Sequence, residues 1–507
     1  MDPSVMGVCS RALFISEICS EICLLLKAGG CWRDLAAFGR TCLAVSEPAF
    51  DILWLEILDM DCLLDLIPAL RRRFIAREEI FAVRSYDISR PIVDEDWTRF
   101  DFYARRVRHL NYPHNGSVDC SVFKELLKYR AGPLLPALRS LKWSHIGRGI
   151  DHPHQFIGGE FVSETLPFIT SSLREIQLST HAYYTIQFQR EDEVLQAFLD
   201  ALPSKCPSLE TLSLFGSMTE APLSSLGSFR NLKTLSLKVD RRSGTAVDST
   251  TLIAVSSLET LESLSLWHVH ISEFDPGSIP IGFPSLRSLS IFGGTGEGVV
   301  GVLEKISSPS FRELRVEAMS DECRGLLLFV AALPKFASSF QTLDVMAKCD
   351  LEATIVDPKE LAESLIDPLL LRNLNTLVWN LESEEGEFPT SVFTDEQIFR
   401  MSTAWPDAHT LDLTFPRIRF SLLHWLLFAR RCEVLSSLFL GEIAMEGNRT
   451  LEGRFQRMVF TSGTLRQLIQ ATAAQLNYGQ VFEGILDRLF TKGVSPALFT
   501  VLIRRHD

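Results

Sequence analysis

Residues 296–301 come closest, by type and spacing, to a cofactor site. Gly296, Gly298 and Gly301 match G-x-G-x-x-G after a predicted strand that ends near Phe292, and Glu317 follows about 20 residues later. In a dinucleotide-binding turn the glycines let the backbone approach a pyrophosphate, and the acid binds a ribose hydroxyl. This segment, however, keeps the register of the leucine-rich segments on both sides, each of which supplies a strand, a turn and a helix. We therefore predict an ordinary repeat and no cofactor.

The histidines offer a second possible chemistry, metal binding. They stand at His145, His152 and His154, and again at His268 and His270. No cysteine or carboxylate lies at a recognised ligand spacing around them, so we predict surface or turn histidines and no metal. G-x-S-x-G, Walker A and H-E-x-x-H patterns are all missing from the sequence. The sequence thus names no catalytic residue, and we predict a protein that is not an enzyme.

Charge and composition narrow the classes of partner. The sequence has 50 Lys and Arg against 63 Asp and Glu, a net charge of −13, which disfavours a nucleic-acid partner. No apolar run has the length of a membrane span, so a membrane partner is not expected. The 11 cysteines form no C-x-x-C pair, as is typical of reduced, buried thiols. These features predict a cytoplasmic or nuclear location, or both.

One six-residue pattern, L-x-x-L-x-L, organises most of the chain. It occurs in eleven copies about 30 residues apart, and a weaker copy begins at Val107. The first apolar residues of the eleven copies are Leu138, Leu173, Leu209, Leu232, Leu261, Leu286, Phe311, Phe340, Leu374, Ala408 and Leu435.

The spacing within the pattern predicts the architecture. Leu-x-Leu alternation places two side chains on one face of a strand, and the Leu three positions earlier fills the bend before it. Apolar residues three and four apart predict helices between the strands, for example at Phe198, Leu199 and Leu202. We predict an α/β leucine-rich-repeat solenoid, a horseshoe with parallel strands on its concave face. The Asn that usually follows the strand is missing, which predicts irregular turns and no side-chain ladder in them.

Before the repeats, residues 13–58 have a helical rhythm. The first predicted helix ends at Gly29-Gly30. The second is predicted to start at Asp34 as its N-cap, and the third after Ser46 with Pro48 in its first turn. Three helices this small cannot bury all their apolar side chains among themselves. Some of that surface is therefore expected to meet a partner or the first repeat.

Residue order in this region resembles a known family. Glu17-Ile18, Arg33-Asp34-Leu35-Ala36, Cys42, Glu47-Pro48-Ala49 and Leu53-Trp54 recur in this order in F-box motifs, although Phe14-Ile15 replaces the Leu-Pro pair that commonly opens the motif. The stretch 90–108 looks like the linker of the F-box leucine-rich-repeat proteins abundant in basidiomycete fungi. The resemblance implies an F-box module at 1–58, a helical linker or cap at 59–106, a repeat solenoid at 107–440 and a final repeat and cap at 441–507.

A function also follows from the resemblance. An F-box protein binds a Skp-type adaptor, which joins it to a cullin–RING ubiquitin ligase, while the repeats hold the substrate protein. The alternative is a leucine-rich-repeat scaffold without a ligase, in which the helices only cap the solenoid. The apolar residues implied to bind the adaptor are Phe14, Ile18, Ile22, Leu35, Leu53 and Trp54.

A row of large side chains suggests where the substrate binds. Phe215, Lys238, Trp267 and Phe292 directly follow the last apolar position in four successive repeats. Aromatic residues beside a cation on an exposed sheet favour a binding patch. The alternative is that these side chains tuck beneath the turns and belong to the core.

Overall fold

The computed structural model divides into two compact units, residues 1–245 (unit 1) and 246–507 (unit 2). It describes residues 15–77, 81–112, 118, 121–146, 164–181, 191–216, 223–239, 249–267, 279–350, 371, 373–383, 391–392, 395–414, 418–421, 437–440, 443–444, 458–461 and 499–503.

Unit 1 begins with three helices, and a parallel sheet follows. The helices are α1 (Ser16–Ala28), α2 (Trp32–Phe38), α3 (Leu43–Leu53), α4 (Asp61–Leu64), α5 (Asp94–Ala104), α6 (Ser121–Leu126) and α7 (Glu191–Lys205). The strands are β1 (Glu56–Ile57), β2 (Leu70–Arg77), β3 (Phe81–Ile88), β4 (His109–Tyr112), β5 (Ser140–Ile146), β6 (Glu175–His181), β7 (Thr211–Gly216) and β8 (Thr234–Val239). In the sheet, β1, β4, β5, β6, β7 and β8 pair in parallel in that order.

Unit 2 repeats the alternation of helix and parallel strand. Its helices are α8 (Ser249–Ser256), α9 (Gly296–Lys305), α10 (Cys323–Ala332) and α11 (Asp395–Ala404). Strands β9 (Ser263–Trp267), β10 (Ser288–Gly294), β11 (Glu313–Glu322), β12 (Thr342–Asp350), β13 (Thr376–Ser383), β15 (Thr410–Thr414) and β17 (Ser437–Leu440) pair in parallel in that order. Shorter strands are β14 (Ser391–Val392), β16 (Ile418–Ser421), β18 (Ile443–Ala444), β19 (Met458–Thr461) and β20 (Phe499–Ile503).

The core of both units is built from the repeated apolar positions. In the copies from Val107 to Leu413, all three apolar side chains of each copy are at most 3% exposed. Equivalent residues pair across neighbouring strands without a shift, as Leu212 with Leu235 and Leu264 with Leu289. Within each unit, therefore, the predicted leucine-rich-repeat stack of parallel strands is confirmed.

Each repeat is tied to the one before it through a shared backbone acceptor. The N–H groups of Arg174 and Glu175 both donate to the carbonyl of Arg139, at 2.8 and 3.0 Å. Arg312 and Glu313 bind the carbonyl of Arg287 in the same way, both at 3.0 Å. The arrangement satisfies the first backbone N–H groups of these strands.

The turns that lead into several of the strands carry a side-chain ladder, which the sequence analysis did not predict. The hydroxyl groups of Ser172, Ser285 and Ser339 donate to carbonyl oxygens of the preceding repeat at 2.8, 2.6 and 2.6 Å. Asn231 and Asn373 donate through their amides at 2.9 Å to the carbonyls of Pro207 and Ser338. Side chains thus support the turn before the strand, whereas the usual Asn would support the turn after it. The register of β11 and β12 shifts between Glu317 and Met319, so the pairing of these two strands is irregular beyond the core positions.

Two predicted helix starts in the N-terminal region are wrong. Helix α2 is capped by Cys31 rather than Asp34, because Leu35 N–H already donates to the Cys31 carbonyl at 3.0 Å. Asp34 lies in the first turn, where a carboxylate favours the helix dipole. Helix α3 begins before Ser46, at Leu43, and contains Pro48 in its interior. Burial of one α3 face outweighs the backbone hydrogen bond that proline removes.

The stretch 59–106, predicted to be a helical linker or cap, also contains a hairpin. Strands β2 and β3 pair antiparallel along their length, from Leu70 with Ile88 to Arg77 with Phe81. The Tyr86 hydroxyl fastens the hairpin to α4 by hydrogen bonds of 2.9 Å to Asp61 and Asp65. The antiparallel pairing of β2 with β3 overrides the helical expectation, and α4 and α5 account for the helical part.

The segment with G-x-G-x-x-G spacing forms the start of helix α9. Thr295 caps this helix, accepting a hydrogen bond from Gly298 N–H at 3.2 Å. Gly296, Gly298 and Gly301 are buried in the repeat, so the segment is an ordinary connector as predicted. Among the residues that the structure describes, no three His, Cys, Asp or Glu side chains are grouped to hold a metal, and no helix is long and apolar enough to cross a membrane. His152, His154, His268 and His270 lie outside the described residues.

Candidate protein-interaction surfaces

The three N-terminal helices form a small module with a complete core. Cys23 of α1, Leu35 of α2 and Ala49 of α3 are fully buried against one another. The partly buried Leu26, Phe38, Ile52 and Leu53 close around them. The apolar groups left on the surface of this module are therefore not needed to hold it together.

One side of α1 carries apolar side chains that remain exposed. Ile18 is 39% exposed and Leu25 is 71% exposed, with the half-buried Ile22 between them. Spacings of four and three residues place these side chains on one face of the helix. We call Ile18, Ile22 and Leu25 the α1 stripe. Leu24 is also exposed, at 40%, but points about 100° away from Leu25 around the helix.

The structure separates the six residues implied to bind an adaptor. Ile18 and Ile22 lie on the α1 stripe, but Leu35 is fully buried and Leu53 packs against the module core. Trp54 lies on the ring of Tyr103, with centroids 4.5 Å apart. Phe14 lies outside the described residues.

Leu35, Leu53 and Trp54 therefore act in packing, and α1 offers an accessible apolar surface. Sequence reasoning missed Leu25 as a contact residue and also missed the exposed Trp32 and Leu43. The signal for Leu25 was its spacing of seven residues from Ile18.

Ion pairs of one buried arginine with two exposed carboxylates join the helical module to the rest of unit 1. The Arg106 side chain is 3% exposed, its Nε lies 2.9 Å from Asp51 of α3, and its Nη2 bonds Glu47. Its guanidinium also lies over the ring of Phe102, 4.2 Å from the centroid. Since both carboxylates reach one buried cation, the module is fixed in orientation relative to α5.

Side chains that alternate with the buried core positions form an open face on each sheet. In unit 1 this face is rich in small hydroxyl groups. Its charges are paired, since Glu175 accepts a hydrogen bond from Ser140 at 2.6 Å and lies 3.3 Å from the Lys142 ammonium. Lys238 lies over the ring of its strand neighbour Phe215 at 5.9 Å.

The open face of unit 2 carries a stacked aromatic pair. The rings of Trp267 and Phe292 lie nearly parallel, at 21°, with centroids 3.6 Å apart. On the other neighbouring strand, β11, the guanidinium of Arg315 lies 5.7 Å from the Phe292 ring centroid. As a result, Phe292 is only 7% exposed. Trp267 and Arg315 thus cover Phe292, and the predicted row of four separates into one pair in each unit.

Carboxylates dominate the charge on the unit 2 face. Glu313, Glu317 and Asp344 lie on neighbouring strands around Arg315, which contacts Asp344 at 3.3 Å and also binds Glu317. Burial raises the pKa of Asp344, Arg315 opposes this increase, and Glu317 adds to it. Three carboxylates around one guanidinium leave the face acidic, which favours a partner with basic side chains.

Comparisons with known proteins provide no family for this chain. It matches no family model and no curated protein. Among solved structures it aligns with an internalin (inlF) from Listeria monocytogenes, with 13% sequence identity and a TM-score of 0.34, over 72% of this chain and 82% of that one. A similarity this distant carries no argument about function, and the fold assignment rests on strand register and burial.

Proposed function

We propose that this chain is a substrate-recognition subunit of a Skp–cullin–F-box-type ubiquitin ligase. The α1 stripe would dock on the adaptor, and the open face of the repeats would hold the protein to be modified. The observation that carries the proposal is the exposed α1 stripe on a module whose core is already complete. The residue order shared with F-box motifs supports the same conclusion.

The proposed role needs position rather than chemistry. A receptor of this kind speeds a reaction by holding the substrate near an active site on another subunit. The ion pairs of Arg106 with Glu47 and Asp51 support this role, because they fix the module relative to α5. A substrate held on unit 1 would then have a defined orientation to the adaptor.

Adaptor binding tests the proposal directly. The full chain is co-expressed with a Skp-type adaptor, and the double variant Ile18→Asp/Leu25→Asp is compared with Leu24→Asp. Two charges on the stripe should lower co-purification at least tenfold, since such interfaces depend on a few apolar anchors. Leu24→Asp, on another side of the same helix, should keep adaptor binding. Failure of the unaltered chain to bind the adaptor would reject the proposal, as would equal binding by the stripe variant.

A second candidate function is a leucine-rich-repeat scaffold without a ligase. The packing of Leu35, Leu53 and Trp54 favours it, because these residues act as the interior of a cap for the repeats. On this alternative the chain captures its protein partner but not the adaptor. Affinity capture scored separately for adaptor and ubiquitin-ligase subunits distinguishes the two functions.

A further inference from the structure

A polar groove lies at the edge of unit 2 where the repeat strands begin. Its volume is about 590 Å³, and it is distinct from both the α1 stripe and the open face. The lining side chains are Arg287, Ser310, Arg312, Ser338, Ser339, Gln341, Asn373, Asn375 and Asp407. Eight of these nine can donate hydrogen bonds, and the ninth is the exposed Asp407.

Three of the basic residues along this edge are paired with carboxylates. The edge is formed by the second residue of each repeat. Arg174 and Lys233 approach Glu210 at 3.3 and 2.9 Å, and Arg287 approaches Glu262 at 3.4 Å. Carboxylates thus neutralise Arg174, Lys233 and Arg287 along this edge.

Arg312 differs from Arg287 at the groove. It follows Arg287 at the same position of the next repeat, and its guanidinium makes no ion pair or hydrogen bond with any residue that the structure describes. Neighbouring parallel strands lie about 4.8 Å apart, so two like charges stand side by side. Arg312 is also half-buried, which reduces the hydration of its charge. An anion between the two guanidinium groups would relieve both costs.

The other side chains of the groove suit an anion. Gln341 and Asn375 occupy the next two positions of the same edge and offer amide donors. Ser339 and Asn373 donate to backbone carbonyls of the preceding repeat, and so fix the wall. The groove therefore has two cations, amide donors and a rigid backing.

We propose that this groove binds the phosphoryl group of a ligand with a polar body, with Arg312 as the principal contact and Arg287 as the second. A guanidinium group matches phosphate oxygens with two parallel N–H donors. The volume of the groove is several times that of one phosphoryl group, and its polar lining suits a sugar or peptide body rather than an apolar one. The proposal does not depend on adaptor binding.

Calorimetric titration of the full chain tests the site with three probes. These are inorganic phosphate, glucose 6-phosphate and a short phosphoserine peptide, with glucose and the unphosphorylated peptide as blanks. All three phosphates should bind and the blanks should not. A body that contacts the groove should make its phosphate bind at least threefold more tightly than inorganic phosphate, and so identifies sugar or peptide as the source.

Arg312→Gln provides the decisive variant, with Arg139→Gln as its control. Arg139 occupies the same repeat position in unit 1, but it is exposed and lies outside the groove. Arg312→Gln should weaken phosphate binding at least tenfold, and Arg287→Gln by a smaller factor, with both melting temperatures kept. Arg139→Gln should bind as the unaltered chain does. The proposal fails if no phosphate binds at millimolar concentration, or if Arg312→Gln and Arg139→Gln behave alike.

Discussion

The open faces of units 1 and 2 differ although the same buried pattern lies beneath both. Unit 1 presents small hydroxyl groups and the Lys142–Glu175 pair. Unit 2 presents the Trp267–Phe292 stack beside Arg315 and three carboxylates. Beneath them, the apolar positions of both units are almost fully buried and pair in the same register.

This difference shows how a repeat protein separates folding from recognition. The core leucines satisfy the stacking requirement, so residues at the alternating positions are free to change without altering the strand path. A neutral hydroxyl face offers shape and weak hydrogen bonds. An acidic face with aromatic groups offers stronger and more selective contacts. We therefore expect partner selectivity to depend more on unit 2.

The largest expected effect is in the core, where the two units should behave alike. Leu264→Asp in unit 2 and Leu235→Asp in unit 1 each bury an unpaired carboxylate at equivalent positions, at a cost of about 4 kcal/mol or more. Hydrogen exchange should report loss of protection first in the repeats around each site, because stability in an array is local. Uniform loss across the whole chain would contradict the repeat description.

Substitutions on the open faces should destabilise the two units to different extents. Phe292→Ala should lower the free energy of unfolding by about 3 kcal/mol, because the ring is buried between Trp267 and Arg315. Phe215→Ala, at the half-buried counterpart in unit 1, should cost about 1 kcal/mol. Urea denaturation measures both. If the two variants lose equal free energy of unfolding, the Trp267–Phe292 stack adds no stability that unit 1 lacks.

The hydroxyl ladder before the strands should again behave the same way in both units. Ser172→Ala and Ser339→Ala each leave a backbone carbonyl without its side-chain donor, at a cost of about 1 kcal/mol. Ser290→Ala on the open face is the control and should change stability by less than about 0.5 kcal/mol. Thermal denaturation measures the stability of all three variants. If Ser290→Ala loses as much stability as the ladder variants, the ladder hydrogen bonds do not stabilise the fold.

The smallest expected effects are on the pH dependence of stability. Ionisation should stabilise the fold at Glu210 in unit 1 and destabilise it at Asp344 in unit 2. The hydrogen bond from Lys233 lowers the pKa of Glu210, so its stabilisation is present at neutral pH and is lost as pH falls through that lowered value. Burial raises the pKa of Asp344, so its ionised form is unfavourable at neutral pH and stability recovers as the carboxyl protonates.

Glu210→Gln should therefore be less stable than the unaltered chain at pH 7, and Asp344→Asn more stable, each by about 1 kcal/mol or less. Both differences should disappear in acid. Urea denaturation at pH 7 and pH 3 provides the measurement, and equal signs for the two variants would show that burial does not dominate at Asp344.

Sequence reasoning worked best where one physical requirement acts in every repeat. Each copy of L-x-x-L-x-L must bury the same three positions, so periodicity located the strands and their register from Leu138 to Leu413. It worked less well where distant segments compete. The hairpin and the start of α3 depend on contacts such as Tyr86 with Asp61, which no local pattern contains.

Sites on the surface were harder to predict for the same reason. Phe292 follows a strand and looks exposed by alternation, but the ring of Trp267 and the guanidinium of Arg315 cover it. The groove around Arg312 has no sequence signature, because its donors come from four repeats. Only the stacking of those repeats brings them to one edge.

The ladder before the strands has a consequence for how such chains change over generations. Several repeats bring one such donor, among them Ser172, Ser285 and Ser339, and each of these hydroxyl groups binds a carbonyl of the repeat before it. Repeats that carry such a donor can therefore succeed one another with no loss of these bonds. Unequal recombination between them would lengthen or shorten the array by whole repeats while these junctions kept their bonds, and a lineage could explore new partners by shuffling whole strands and their exposed residues.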